Sequence, residues 1–363
     1  MARRILIVSE DLVAPWDEGI KKFAYSIGAA LAPDHPVRVI NVDRSGRAAS
    51  GNDVRAQGGD TFPIRNVPGT RTFMSPALRR EVASFQPEAI VYVPSPSSTT
   101  GSFVRSFALR RHWPRARIGM VALIPRRHRA SARIFLQGAA PDVVFVPSYA
   151  SLLHARDLAL RSELLPVGVD ASTFRRGREG ERVELRRLHG VPENAFVFLH
   201  VGHLSEKRNL RALTKLASLP NAHVVVIGST STPEDAALRR DLETAGVRVI
   251  REFVRVDEFY RLADAYVFPT IDSEGCVEIP LSVLESLSSG LPVLARSFGG
   301  LRDVLAPGDD VRYFDTDDEL VAAATELKSA GRPLVRDVGA FAWRAIAERI
   351  VTALFETRGA RAS

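Results

Sequence analysis

Three carboxylates, Glu274, Glu278 and Glu285, fall in a short stretch with Pro280, Leu281 and Ser282, ahead of Gly290 and the pair Gly299-Gly300. Carboxylates accept hydrogen bonds from sugar hydroxyls. The N–H groups at a helix start, here Pro280 to Val283, can bind an anion such as a pyrophosphate. In that order, the residues describe a site for a phosphorylated, hydroxyl-rich ligand. Pro280 suits the first helical turn and Gly290 the position that ends the helix before Pro292 opens a strand. At helical spacing Glu278, Ser282 and Glu285 share one face while Leu281, Leu284 and Leu287 share another, so the reading is one core face and one polar face. An ordinary amphipathic helix with solvated carboxylates fits this segment alone equally well.

The elements that must position these groups are legible as alternating runs. Ile5–Val8, Val37–Val42, Ala89–Val93, Ile118–Leu123 and Val143–Val146 read as buried strands in the first half. Phe196–Val201, His223–Ile227, Val247–Ile250, Ala265–Phe268 and Pro292–Ala295 repeat the rhythm in the second. Helical patterns at Lys21–Leu31, Ala77–Phe85, Leu210–Leu219, Asp235–Ala245 and Asp257–Ala263 separate them. Strand-helix alternation implies two doubly wound parallel sheets, each in a Rossmann-like domain, with ligands at a cleft lined by the carboxyl ends of the strands. The expected division is residues 1–170, then 171–340, then a terminal helix at 341–357. The glycine-rich, charged run from Pro166 to about Gly180 is the expected linker, and Ser45 to Thr72 reads as a long irregular loop. Asp315-Thr316-Asp317, a pattern that binds manganese elsewhere, precedes a helical run and reads as a helix cap.

A length of 363 residues suits two domains, and 45% hydrophobic with 25% charged residues is ordinary for a folded chain. A single cysteine, Cys276, excludes an internal disulfide and a thiolate zinc site, which points to a reducing, cytoplasmic setting. The N-terminal apolar run Ile5–Val8 is too short for a signal peptide or a membrane span. The net charge of +7 is uneven: residues 1–170 carry 23 Lys and Arg against 14 acids, and the remainder carries 26 against 28. Gly101 to Arg133 holds nine arginines and no acid. Such a segment fits an anionic membrane surface at the inner face, a polyanionic acceptor, or a solvated face. No nucleic-acid motif accompanies it, so nucleic acid is not an expected partner.

Four segments together resemble the family-4 retaining glycosyltransferases of the GT-B fold, over about residues 1–357. Val201 to Leu210 (Val-Gly-His-Leu-Ser-Glu-Lys-Arg-Asn-Leu) is similar to the family's glycine-arginine-leucine…lysine loop, which holds the donor diphosphate. Phe259 to Thr270 resembles the strand before the donor-sugar motif, Pro166 to Asp170 with Phe174 the interdomain segment, and Phe341 to Ile350 the helix that returns to the first domain. There are departures. The family spaces two glutamates with seven residues between them, whereas ten separate Glu274 from Glu285 and six separate Glu278 from Glu285. His203 replaces the usual arginine, and Gly19 stands alone where relatives have two glycines. His128 lies near where the family places a histidine by the reacting sugar.

The resemblance implies transfer of a sugar from a nucleoside diphosphate sugar to an acceptor hydroxyl, with retention at the anomeric carbon and no essential metal or other cofactor. It assigns Gly202, His203, Lys207 and Arg208, with the helix start at Pro280, Leu281 and Ser282, to the diphosphate. Glu274 or Glu278 would hold sugar hydroxyls, Glu285 the ribose, and Gly19 the donor from the first domain. His128 and Glu278 are the candidate catalytic groups. The acceptor, lipid-linked or otherwise anionic, stays open. A non-catalytic nucleotide- or partner-binding protein, or a sugar-nucleotide epimerase or hydrolase, is the alternative, because a fold fixes no reaction.

Overall fold

The computed structural model describes the chain apart from residues 11, 13–17, 44–52, 55–63, 230–233, 273–275, 332 and 356–363. It comprises two compact units, one formed by Met1–Val167 with Trp343–Ser363 and the other by Gly168–Ala342. Each is a parallel-sheet, Rossmann-like α/β domain.

The first unit is built on β1 (Ile5–Ser9), β2 (Val37–Asp43), β3 (Asp53–Val54), β4 (Ile64–Pro68), β5 (Ala89–Val93), β6 (Arg117–Val121), β7 (Val143–Val146) and β8 (Ser162–Leu164). The sheet order is β3-β4-β2-β1-β5-β6-β7-β8, parallel except for the antiparallel β3–β4 pair. Every residue of β1 and β5 is buried, as expected of central parallel strands covered on both faces. Helices α1 (Gly19–Leu31), α2 (Pro76–Phe85), α3 (Thr100–His112), α4 (Arg133–Gly138) and α5 (Tyr149–Asp157) lie between these strands in sequence.

Part of the expected 45–72 loop is strand. β4 escapes a hydrophobic-pattern reading because its inward positions include Asn66, whose carboxamide oxygen accepts from Asn41 on β2 at 2.8 Å. The arginine-rich segment is likewise not one exposed face. Arg105, on α3, turns inward and lies 2.6 Å from Glu10 at the end of β1, with Glu10 also accepting from the Tyr92 hydroxyl at 2.7 Å and Ser95 N–H at 3.0 Å. The acid that the local sequence lacks is supplied from another strand, and both charges are buried, Glu10 at 1% and Arg105 at 5% exposure.

In the second unit α6 (Glu181–Leu188) leads into a sheet of β9 (Phe196–Gly202), β10 (Ala222–Gly228), β11 (Arg248–Ile250), β12 (Ala265–Phe268), β13 (Val293–Arg296) and β14 (Val311–Phe314). The order is β11-β10-β9-β12-β13-β14 and all pairs are parallel. Helices α7 (Leu213–Ala217), α8 (Ala236–Thr244), α9 (Val256–Leu262), α10 (Leu281–Ser288), α11 (Leu301–Val304) and α12 (Asp317–Ala330) complete it. The run read as one helix over 210–219 divides into a 3-10 turn at Leu210–Ala212 and the short α7. Thr316 caps α12, accepting from Glu319 N–H while the Glu319 carboxylate accepts from Thr316 N–H, a capping box. Where the chain enters and leaves this unit the segments pair: Val169 N–H donates to Phe341 O at 2.8 Å. The chain then returns to the first unit as α13 (Trp343–Phe355), and the Trp343 ring meets Phe23 of α1 edge-on at 5.5 Å. No described helix is long and apolar enough to cross a membrane.

Candidate functional site

In the second unit the candidate residues gather where β9, β12 and β13 end. Helix α10 starts one residue later than the sequence implies: Pro280 is the N-cap, extended at φ −66° and ψ 129°, with no side-chain cap. A residue before proline is pushed out of the helical region, so Glu278 and Ile279 lie outside the helix and the proposed shared face of Glu278 with Ser282 and Glu285 does not exist. Val283 N–H turns back to Pro280 O at 3.2 Å, which leaves Leu281 and Ser282 as the first N–H groups directed outward. The helix ends as expected at Gly290, in the left-handed region at φ +78°.

The alternative of an ordinary amphipathic helix with solvated carboxylates does not hold. Glu285 is 6% exposed and Glu278 4%, because α10 is buried on nearly every side. Tyr260, on α9, donates its hydroxyl to Glu285 Oε2 at 3.1 Å, and burial together with the Glu285 charge pushes the phenol well above its usual range. Glu278 is fixed through its main chain, its carbonyl accepting from Gly300 N–H at 3.1 Å. Gly299 allows that approach: its φ is +51°, and a Cβ there would lie 2.3 Å from Glu278 O.

Two side chains join this stretch to the loop after β9. The Tyr266 hydroxyl donates to Val201 O at 3.3 Å and is hydrogen-bonded to Ser282, so it bridges the end of β9 and the first turn of α10. Arg208 hydrogen-bonds Cys276, whose thiol is pushed up by burial despite the arginine. The end of β9 is thereby joined to Ser282, and Arg208 to Cys276. The loop is a 3-10 turn, Glu206–Arg208, closed by Asn209 in the left-handed region with its amide donating to Pro269 O at 3.3 Å. Lys207 is exposed and Arg208 half-buried.

Beneath the loop lies His200, 1% exposed. Its Nδ1–H donates to Val267 O at 2.9 Å, so Nε2 carries the lone pair, and Nε2 has no protein partner. Burial holds the imidazole down to about 4, with a smaller contribution from the Arg208 and His203 charges. Gly202 passes directly over the ring, since a Cβ there would lie 2.9 Å from His200 Nε2.

Glu274 lies outside the described residues. Gly19 and His128 belong to the first unit. Gly19 opens α1 after Glu18, whose side chain makes no cap bond. His128 is half-buried. Its Nε2–H donates to Ser98 O at 2.7 Å, and its main-chain N–H donates to His154 Nε2 at 3.0 Å. The two imidazoles are nearly parallel, 6.3 Å apart, in a cavity also lined by Phe103, Ile124 and Arg126. His154 is held below its usual range by burial and then by the neighbouring His128 and Arg127 charges.

Sequence reasoning missed Tyr260, Tyr266, Cys276 and His200 as supports of the site. The one available signal was His200, a polar residue inside the otherwise apolar run Phe196–Val201.

Residues 195–329 match the family model described as glycosyl transferases group 1. Among curated proteins the chain is similar to a sulfoquinovosyl transferase of Arabidopsis thaliana, 33% identical over 182 residues, 47% of this chain and 33% of that protein. It is also similar to a D-inositol 3-phosphate glycosyltransferase of Geodermatophilus obscurus, 30% identical over 219 residues, 53% of this chain and 47% of that one. The chain thus spans between a third and a half of the length of these relatives. Among solved structures, a sucrose-phosphate synthase from Thermosynechococcus elongatus superposes with a TM-score of 0.75 at 17% identity, covering 96% of this chain and 98% of that one. An Anabaena protein in complex with UDP-glucose gives 0.66 at 14%, covering 98% and 96%. The fold is that of the GT-B glycosyltransferases.

Proposed function

We propose that the protein is a glycosyltransferase that moves a sugar from a nucleoside diphosphate sugar to an acceptor hydroxyl with retention of anomeric configuration. The observation that carries this reading is the junction of the Gly202–Arg208 loop with the Cys276–Glu285 stretch through Tyr266 and the Arg208–Cys276 bond. It lies wholly inside the segment that matches the group 1 family model.

In this reading negative charge grows on the leaving diphosphate as the sugar becomes oxocarbenium-like. Lys207, Arg208 and the N–H groups of Leu281 and Ser282 face that charge, and act more strongly on the transition state than on the bound substrate. His203 and the main chain at Gly202 line the same anion. Glu285, oriented by Tyr260, accepts from the ribose hydroxyls, and Glu278 is the described carboxylate placed for sugar hydroxyls. Gly19 and His128 belong to the acceptor-side unit. The Anabaena neighbour makes UDP-sugars the first donors to try.

Exposed Ile134 and Phe135 on α4 and Tyr149 and Leu153 on α5 accompany exposed Arg126, Arg127, Arg129 and Arg133. An anionic membrane surface fits this combination, and it supports a membrane-bound or lipid-linked acceptor.

The test is thermal stability of the purified chain with UDP, GDP, ADP and dTDP and their sugar conjugates. A ligand at a hundred times its dissociation constant adds about 2.7 kcal/mol to the folded state. The expected result is a shift with one base, lost in Glu285→Ala and reduced in Lys207→Ala, followed by a retained anomeric configuration in the product by proton NMR. Absence of a shift with every nucleotide would overturn the reading.

A further inference from the structure

The first unit has a second cavity, separate from the one that His128 and His154 line. It measures about 350 Å³ and is lined by Arg4, Glu88, Trp113, Arg115, Arg117 and Phe355, among others. Arg4 precedes β1, Glu88 precedes β5, and Arg117 opens β6, so the cavity lies at the amino ends of the strands. Substrates of doubly wound sheets bind at the carboxyl ends, which makes this the opposite edge of the sheet.

Its charge is strongly one-sided. The acid present, Glu88, is already committed: its carboxylate lies 2.7 Å from Arg3 Nη1 and accepts Arg4 N–H at 3.1 Å, and these contacts hold it below the usual carboxylate range. Arg4 spends its Nε–H on Gln86 O at 2.8 Å. Arg115 and Arg117 are exposed, and among the described residues no carboxylate pairs with either. The walls are rigid and aromatic. Trp113 is fixed by its Nε1–H donating to Pro87 O at 2.9 Å, and Phe355 is covered by the Arg3 guanidinium 4.8 Å from its ring centre.

Two guanidinium forks that no described carboxylate pairs, beside aromatic surface in a cavity of ligand size, match a phosphate ester: the forks take phosphate oxygens in bidentate fashion, and the rings take an apolar or planar remainder. We propose that this cavity binds a phosphate-bearing ligand, distinct from the nucleotide-sugar site, with Arg115 and Arg117 as its anchors. A soluble ester and a lipid headgroup present the same phosphate, and the experiment separates them.

The protein carrying Lys207→Ala, which weakens anion binding by the second unit, is titrated calorimetrically with inorganic pyrophosphate at low salt. In parallel it is sedimented with phosphatidylglycerol vesicles. The double variant Arg115→Ala/Arg117→Ala is compared with Arg79→Ala/Arg80→Ala on α2, which removes equal exposed charge elsewhere on the unit. A loss of at least tenfold in pyrophosphate affinity confined to the 115/117 variant supports the site with a soluble ligand. Loss of vesicle binding confined to that variant supports it with a lipid headgroup. If neither probe binds, or if both variants weaken binding equally, the site is refuted and the arginines act only as diffuse charge.

Discussion

His200 makes the second unit sensitive to acid in a way that a single substitution should reveal. The imidazole is buried and its proton affinity is depressed from 6.5 to about 4 in the folded state, chiefly by burial. The unfolded chain therefore binds a proton that the folded chain refuses between these values. Stability contributed by this linkage is complete above about pH 6.5 and is lost as pH falls toward about 4, below which it no longer changes. A shift of that size corresponds to about 3 kcal/mol over the whole window. Between pH 7.5 and pH 5.0 the linkage relation gives about 2 kcal/mol. His200→Gln keeps a donor for Val267 O but does not titrate, and the other acid-sensitive groups, His154 and His223 included, are common to both proteins and cancel. The assay is urea unfolding at the two pH values, followed by hydrogen-exchange mass spectrometry of second-unit strand peptides such as Phe196–Gly202, because both units contain tyrosines. Wild type should lose about 2 kcal/mol more than the variant on going to pH 5.0. Equal losses in the two proteins would show that the ring protonates freely in the folded state, and the packing argument around Gly202 would fail with it.

Three further outcomes follow from the geometry. Gly299→Ala should destabilise the chain by about 2–4 kcal/mol, since it combines a left-handed backbone with a Cβ pressed onto Glu278 O; a melting temperature within a degree of wild type would contradict this. Arg105→Met strands the buried Glu10 carboxylate and should cost about 3–5 kcal/mol, whereas Arg211→Met, which breaks exposed pairs with Glu206 and Asp241, should cost far less; denaturant titrations of the two variants decide whether burial separates them. Tyr260→Phe should lower stability by about 1–3 kcal/mol by removing the hydroxyl that donates to Glu285 Oε2 and should shrink the nucleotide-dependent thermal shift, and an unchanged shift would remove Tyr260 from any part in orienting Glu285.

Much of this architecture can be read from the chain because parallel strands buried on both faces are continuous β-branched runs. Ala89–Val93, Val143–Val146 and Ala265–Phe268 begin and end where their composition changes. Where a strand carries polar residues inward, as β4 does with Asn66, or is short and at an edge, as β8 and β14 are, local composition has nothing to detect. The site divides in the same way. Motif residues from Gly202 to Arg208 and from Glu278 to Glu285 are visible as residue types, and the structure brings them together. Their supports are not, because the pairing of Tyr260 with Glu285 or of Cys276 with Arg208 depends on register between distant elements. The buried state of Glu285 is invisible for the same reason: a glutamate on a helix reads as solvated until its tyrosine partner is known.

The first unit is assembled from both ends of the described chain, with all of the second unit intervening. During synthesis α1 emerges early with Phe23 and Ile27 ready for packing, but the surface that covers Phe23, the Trp343 ring of α13, follows only after every residue of the second unit. The second unit can fold as a contiguous segment while the first waits with an uncovered apolar stripe, a state prone to association. Its own closure at Val169 and Phe341 then holds the two ends of the insert together, which shortens the search that brings α13 back to α1. The order of assembly is therefore inverted relative to the order of translation: the half made second is finished first.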